Sequence, residues 1–274
     1  MRLVHSFSAV RCTSETLPVH VYTFTLSAVY AKLNGFEIVL HSDKVGAHYL
    51  QHAPYDEIIA DLGTPPDDKR IFAWCKFVAM ANEPVDSIHI DGDVFIKKPM
   101  QDLLSLKDED ILCQNLEQIG IFPYQESCWD KESYAWRNCK YPLWMPRTFN
   151  RMYNCGIISF KDKKIRDEYY KLYNDMMNDF YINGKSTDCV PELVSEQKLL
   201  YDFAEHKNLK VKCLLDLHEL NASANKIGYQ HLLGSAKHKS LDKTKMYLER
   251  LNKNVYDNTV EVLKDMSVLK QGCK

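Results

Sequence analysis

The chain has 274 residues, 45% hydrophobic and 26% charged, with a formal net charge of −2 at pH 7. That is ordinary globular usage with enough apolar content for a sizeable core, and the near-neutral balance argues against a nucleic-acid partner. No run of eighteen or more apolar residues occurs, so no membrane span is expected.

From the N-terminus, Met1 to Phe7 enters strand-like sequence directly, with Leu3 to Ala9 apolar and no long apolar targeting segment ahead of it. This predicts a cytoplasmic protein. A helix follows over 19–33, punctuated by Pro18 and Gly35, and then a second strand over 35–40. Strand, helix and strand in that order imply a right-handed crossover and a parallel sheet. The stretch from Arg70 to Phe77 reads as helix and carries Lys76, which as a helix lysine would ordinarily be solvated.

Val85 to Ile96 reads as strand interrupted by Asp91-Gly92-Asp93. Two ionised carboxylates beside a core repel each other and are costly to desolvate unless a cation compensates. At this spacing they could share one divalent ion, with Gly92 allowing a tight turn. Asp-Gly is also a common hairpin dipeptide, so on local sequence a metal site and a turn both stay open.

From 114 to 153 the texture turns irregular and aromatic, with Phe122, Tyr124, Trp129, Tyr134, Trp136, Tyr141, Trp144, Phe149 and Tyr153. Long loops of this content are often functional, and aromatic faces pack on sugars. Each ring taken singly reads as core filler. Met152 to Phe160 is a strand carrying Asn154-Cys155-Gly156. Lys161 to Tyr181 places Ile165, Tyr169, Tyr173, Met176 and Phe180 at helical spacing, a stripe that reads as core. The segment His231-Leu232-Leu233-Gly234-Ser235-Ala236-Lys237 sets an imidazole, a glycine and a lysine at fixed offsets. These can complete a metal site, allow close backbone approach and oppose phosphate oxygens. The tail from Leu241 to Lys274 is helical in texture and reads as a packed terminal element, with peripheral membrane contact a second use of its lysines and apolar residues.

Cysteines occur at 12, 75, 113, 128, 139, 155, 189, 213 and 273, without a Cys-x-x-Cys pair. They read as reduced, partly buried thiols in a reducing compartment, Cys155 included. No repeat, low-complexity tract or linker divides the chain. One domain over 1–274 is expected: a nucleotide-binding half over 1–100, an acceptor half returning to the metal site over 101–240, and a helical tail over 241–274.

With its Asp-x-Asp after a strand and its late His-x-x-Gly-x-x-Lys, the chain resembles the metal-dependent GT-A glycosyltransferases, most closely family 8 and less closely family 32. Asn154-Cys155-Gly156 before an apolar run, and Glu196-Gln197 where family 8 has Asp-Gln, fit the same likeness. The resemblance implies an α/β fold of GT-A type: a Rossmann-like, mixed, mostly parallel sheet flanked by helices, with further helices at the C-terminus. It makes Asp91, Asp93 and His231 metal ligands, and Lys76, Asp91, Asn154, Gly156, Gly234 and Lys237 donor-binding residues. Glu196 and Gln197 become the catalytic pair. Oxygen ligands with one imidazole suit Mn2+, with Mg2+ a substitute. The implied partners are a nucleotide-diphosphate sugar, a UDP-hexose by resemblance, and a sugar or glycan hydroxyl acceptor, with retention of configuration and a use in surface glycan synthesis. The likeness breaks where family 8 follows its lysine with Pro-Trp, since His238-Lys239 stand here, and where Glu196 replaces Asp. A metal-dependent nucleotidyl or phosphoryl transferase would also want paired aspartates and a lysine, but no glycine-rich phosphate loop is present. A non-catalytic nucleotide-sugar or glycan binder of the same fold is a further alternative.

Overall fold

A computed structural model describes residues 1–63, 73–118, 134–147, 150–184 and 193–268. Strand β1 (Arg2–Phe7) leads into helix α1 (Leu17–Leu33) and strand β2 (Glu37–Ser42). α1 carries Pro18 in its first turn and ends at Gly35, whose φ of +76° is the left-handed conformation that glycine adopts without a Cβ clash. The helix is buried on nearly all sides, from Leu17 to Ala31. Ala28 and Ala31 face the sheet, while Tyr22, Leu26 and Val29 face Leu248 and Val255 of the C-terminal helices.

Helix α2 (Lys44–Leu50) is capped by Asp43, whose carboxylate accepts from the Gly46 amide at 2.7 Å. Then come β3 (Glu57–Ile59), α3 (Trp74–Asn82), β4 (Ile88–Ile90), β5 (Val94–Ile96), α4 (Gln101–Leu104), β6 (Ile111–Gln118) and β7 (Arg151–Phe160). The long helix α5 (Lys163–Asn183) is capped by Asp162. A π-helical turn over Leu193–Lys198 runs into α6 (Leu199–Lys207), followed by β8 (Val211–Cys213), α7 (Leu220–Ile227), β9 (Tyr229–His231), α8 (Ala236–Lys239), α9 (Leu241–Leu251) and α10 (Lys253–Val262).

Seven strands form one sheet in the order β3-β2-β1-β4-β7-β6-β8. The pairs β3/β2, β2/β1, β1/β4 and β6/β8 are parallel; β4/β7 and β7/β6 are antiparallel. This is the expected mixed, mostly parallel α/β sheet flanked by helices. The chain leaves β1 toward β2 on one side and returns to β4 on the other, so the strand order reverses between β1 and β4. In open α/β sheets the ligand crevice lies at such a switch point, outside the carboxyl ends of the strands.

One core cluster packs α5 onto the β6–β7 half of the sheet, with Tyr173 stacked on Phe77 at 3.7 Å between ring centroids. The stripe Tyr169, Tyr173, Met176 and Phe180 is buried there. Trp136 is fully buried against Phe180, and Trp144 stacks on His206, so these two rings are packing residues. Tyr134 is exposed; Phe122, Tyr124, Trp129 and Phe149 lie outside the described residues. So do Cys128, Cys189 and Cys273, whereas Cys12, Cys113, Cys155 and Cys213 are free thiols, Cys75 is half-buried and Cys139 is buried. Among the described residues, no helix is long and apolar enough to cross a membrane.

Candidate metal and nucleotide site

Asp91 follows β4 at the carboxyl end of the sheet, its amide donating to the Gly156 carbonyl of β7 at 2.9 Å. Asp91-Gly92-Asp93 does form a turn, closed by the Val94 amide donating to the Asp91 carbonyl at 2.9 Å, but that turn does not make a hairpin, because β5 does not fold back on β4. It pairs antiparallel with β9 in a separate two-stranded sheet, Val94 opposite His231 and Ile96 opposite Tyr229. That pairing brings the late histidine segment to the aspartates, and the Leu232 amide donates to the Asp93 carbonyl at 3.0 Å.

His231 Nε2 consequently stands 3.3 Å from Asp93 Oδ1 and 4.0 Å from Asp91 Oδ2. One ligand atom from each of the three residues can be chosen with all three within 4.8 Å of one another; among the described residues this is the one group of that kind. On the other side of the ring, Nδ1 lies 2.7 Å from Gln114 Oε1, which also accepts from the Tyr229 hydroxyl at 2.6 Å. An amide oxygen can only accept, so Nδ1 carries the hydrogen and Nε2 is turned toward the carboxylates. Two hard oxygens, one imidazole nitrogen and a hydrogen-bonded partner behind that imidazole fit a divalent cation such as Mn2+. Gly156 makes this possible: a Cβ there would lie 2.6 Å from His231 Cε1 and would collide with Gln114 Oε1.

Lysines flank the aspartates. Lys237 Nζ lies 3.0 Å from Asp93 Oδ2. Burial works against the Asp93 carboxylate, yet His231 and Lys237 outweigh it and hold its pKa well below the usual carboxylate range. Lys76 is not the solvated helix lysine of the sequence reading: it is 6% exposed, donates to the Cys155 carbonyl at 2.8 Å, and lies 3.0 Å from Asp91 Oδ1 and 2.6 Å from Glu196 Oε1. Burial opposes its charge, and Asp91 and Glu196 more than compensate, raising its pKa well above the ordinary value. Glu196 and Gln197 sit in the π-helical turn; the Tyr169 hydroxyl donates to the Glu196 carbonyl at 2.7 Å, while the buried Gln197 Oε1 has no hydrogen-bond partner among the described residues.

Gly92 has a steric role. A Cβ there would run into the Phe24 ring, and its φ is not left-handed. Gly234 is the reverse case, with open space around it and a φ of +54°.

A cavity of about 770 Å3 opens on these groups. Lys76, Asp91, Asp93, Asn154, Glu196, Gln197, His231, Gly234 and Lys237 line it, together with Ser6 of β1, Ser8 just after that strand, and His20 and Thr23 of α1. Of the residues singled out in sequence as site candidates, Gly156 alone is behind the wall rather than on it. A second cavity of about 490 Å3 lies on the opposite side of His231, lined by Gln114, Asn115, Glu117, Lys97 and Lys98 among others. Glu117 was not legible as a site residue. Its Oε1 accepts from Asn154 Nδ2 at 2.7 Å, its buried Oε2 has no partner among the described residues, and burial pushes its pKa up to about 7. Asn154 Oδ1 in turn accepts from the Gly156 amide at 2.9 Å. Gln114 and His89 were also missed; His89 bonds Ser6 Oγ through Nε2 at 2.9 Å, and its Nδ1, 3.9 Å from Asp91 Oδ1, has no hydrogen bond among the described residues.

The chain matches, over residues 11–266, the model of a family described as a family of unknown function (DUF6734), and it belongs to that family. No curated protein matches it in sequence. Among solved structures it is similar to the glycosyltransferase GlyE in Streptococcus pneumoniae, at 12% identity and a TM-score of 0.43, over 98% of this chain and 62% of that one. The apo form of GlyE is matched over 44% of its length, so the chain spans about half of that protein. It is similar to the galactosyltransferase LgtC in complex with donor and acceptor sugar analogues, at 12% identity and a TM-score of 0.47, over 94% and 96% of the two chains. For mouse xyloside xylosyltransferase 1 the values are 11% identity, a TM-score of 0.41, and 78% and 84% coverage.

Proposed function

We propose that this member of DUF6734 is a metal-dependent glycosyltransferase that moves a hexose from a nucleotide-diphosphate sugar, a UDP-sugar by its likeness to family 8, to a hydroxyl acceptor. The observation that carries the reading is the triad of Asp91, Asp93 and His231 at the sheet's switch point, with Lys237 beside it and a cavity large enough for a nucleotide sugar in front. A divalent ion held there supplies Lewis-acid stabilisation of the departing diphosphate.

The chain's own groups divide the remaining work. Lys237 exchanges its contact with Asp93 for diphosphate oxygens and opposes charge that grows on the leaving group. Gly234, in the left-handed conformation, turns the backbone so that residues 231 and 237 reach the same point. Lys76 holds the Asp91 and Glu196 carboxyl groups in place on the sugar side. Gln197 and Asn154 offer amide groups to sugar hydroxyls. Likeness to family 8 favours retention of configuration.

Thermal unfolding with a panel of nucleoside diphosphates, with and without Mn2+, tests binding, and release of intact UDP from a UDP-sugar tests turnover. Metal-dependent stabilisation by UDP with turnover supports the reading. Stabilisation without turnover leaves a binder of the same fold, and release of a nucleoside monophosphate points to nucleotidyl or phosphoryl transfer.

A further inference from the structure

Away from the candidate site, the two thiols Cys113 and Cys213 face each other on adjacent parallel strands. They are register partners, the last step of the pairing Ile111 to Val211 and Leu112 to Lys212, and their sulfurs are 3.6 Å apart. Neighbouring strands lie about 4.8 Å apart. Disulfide-linked residues have Cα separations of about 4.4–6.8 Å, so this pair can be joined without moving the backbone.

The two thiols are unequal in the way a reacting and a resolving cysteine are. Cys213 is exposed, and among the described residues it is the one exposed free cysteine. Cys113 is fully buried behind it. The hydrogen bond from the Cys113 thiol, helped by the Leu116 amide and opposed by burial, holds Cys213 below the ordinary thiol pKa, whereas burial pushes Cys113 well above it. Burial likewise pushes Cys12 up to about 12 and raises Cys155. A thiolate is the nucleophile in thiol oxidation, so exposure and acidity select the same atom.

We propose that Cys213 and Cys113 are a peroxide-responsive pair that forms a reversible disulfide and clamps the edge strand β8 onto β6. The Cys213 thiolate attacks the O–O bond of a hydroperoxide, taking one oxygen as sulfenic acid and releasing water or an alcohol. The Cys113 sulfur then displaces that oxygen as a second water, forming the S–S bond. The two thiols lose two electrons and two protons in total, and the O–O bond accepts them. A dithiol reverses the step by exchange.

β8 is a three-residue strand at the sheet edge, and the chain beyond it is tied to β6 by Leu214 N to the Cys113 carbonyl at 3.0 Å and Leu215 N to the Gln114 carbonyl at 2.8 Å. The clamp therefore tightens the backbone on either side of Gln114, the residue that holds His231.

The test is intact-mass analysis and non-reducing peptide mapping of the full chain after equimolar hydrogen peroxide, with Cys213→Ser and Cys113→Ser alongside. Expected are loss of two hydrogens, a cross-linked peptide pair containing residues 113 and 213, reversal by dithiothreitol and a higher melting temperature, since a loop of 100 positions is closed. Cys213→Ser abolishes the cross-link, and Cys113→Ser leaves a sulfenic acid that a cyclic 1,3-dione traps at Cys213. The proposal is overturned if the cross-link joins other cysteines, or if Cys213 in the reduced chain is alkylated no faster than Cys12.

Discussion

Gln114 Oε1 stands 2.7 Å from His231 Nδ1 and thereby decides which imidazole nitrogen faces the aspartates. Partners of this kind behind a ligating histidine are worth about 10- to 100-fold in metal affinity. Gln114→Ala should weaken Mn2+ binding by that factor while leaving the fold intact, read by metal titration. Unchanged affinity would mean that His231 is oriented by the β5–β9 pairing alone.

Asp93 is nearly buried and answers to both His231 and Lys237. In the wild type, UDP with Mn2+ at a hundred times its dissociation constant should stabilise by about 2.7 kcal/mol. Asp93→Ala and His231→Ala should each lose that shift in melting temperature. Lys237→Ala should keep the metal and lose most of the nucleotide effect. Retention of the full UDP shift in Asp93→Ala would remove the aspartate pair from the site.

Gly156 leaves no room for a methyl group between Gln114 and His231. Gly156→Ala is expected to cost about 1–3 kcal/mol through overpacking and to displace the imidazole, so denaturant stability and metal affinity fall together. Gly92→Ala presses on Phe24 instead. It should lower stability while leaving His231 in place, a contrast that separates the two glycines in a single metal titration.

The parallel half of the sheet was legible because β1, α1 and β2 obey simple periodicity and carry Pro18 and Gly35 where a helix begins and ends. Asp91, Asp93 and His231 were legible as residue types at motif spacing. What brings them together, the β5–β9 pairing, was not, because each of those strands is three residues long. Gln114 and Glu117 sit within β6, where alternating polar residues look like a solvated strand face; only the pairing of β7 over one edge and the return of β9 bury them. Lys76 is legible as a donor-binding candidate only by resemblance, and by its place in a helix it reads as solvated, because its two carboxylate partners are distant in sequence. Gly92 is legible as a turn glycine, and the turn is there; the Phe24 ring of α1, which also leaves no room for a side chain, is not legible because it comes from a distant part of the sequence.

Lys76, itself buried, bridges the buried Glu196 and the partly exposed Asp91. Removing one partner of a buried ion pair leaves an uncompensated charge and costs about 3–5 kcal/mol. Lys76→Ala should therefore lower the denaturant midpoint strongly, and Glu196→Gln less, since Lys76 retains Asp91. Combining Lys76→Met with Glu196→Gln should cost less than the sum of the single changes. Strict additivity in that cycle would show that the two side chains do not interact energetically.

Glu117 supplies a pH dependence of known sign. Burial raises its carboxyl in the fold to about 7 from an ordinary value of 4.5, while its partner Asn154 pulls the other way and loses. Between those two pH values the folded chain holds a proton that the unfolded chain has released, so this group's contribution to stability is complete below about pH 4.5 and drains away as pH rises toward 7. At about 1.4 kcal/mol per pH unit, Glu117 makes the metal-free protein about 3 kcal/mol less stable at pH 7.5 than it would be with a group that never ionises. Glu117→Gln keeps the shape and removes the titration. Its stability relative to wild type, measured by urea unfolding, should improve progressively from pH 4.5 to 7.5. A constant difference across that range would place the Glu117 ionisation at its ordinary value and its unpartnered oxygen in contact with water.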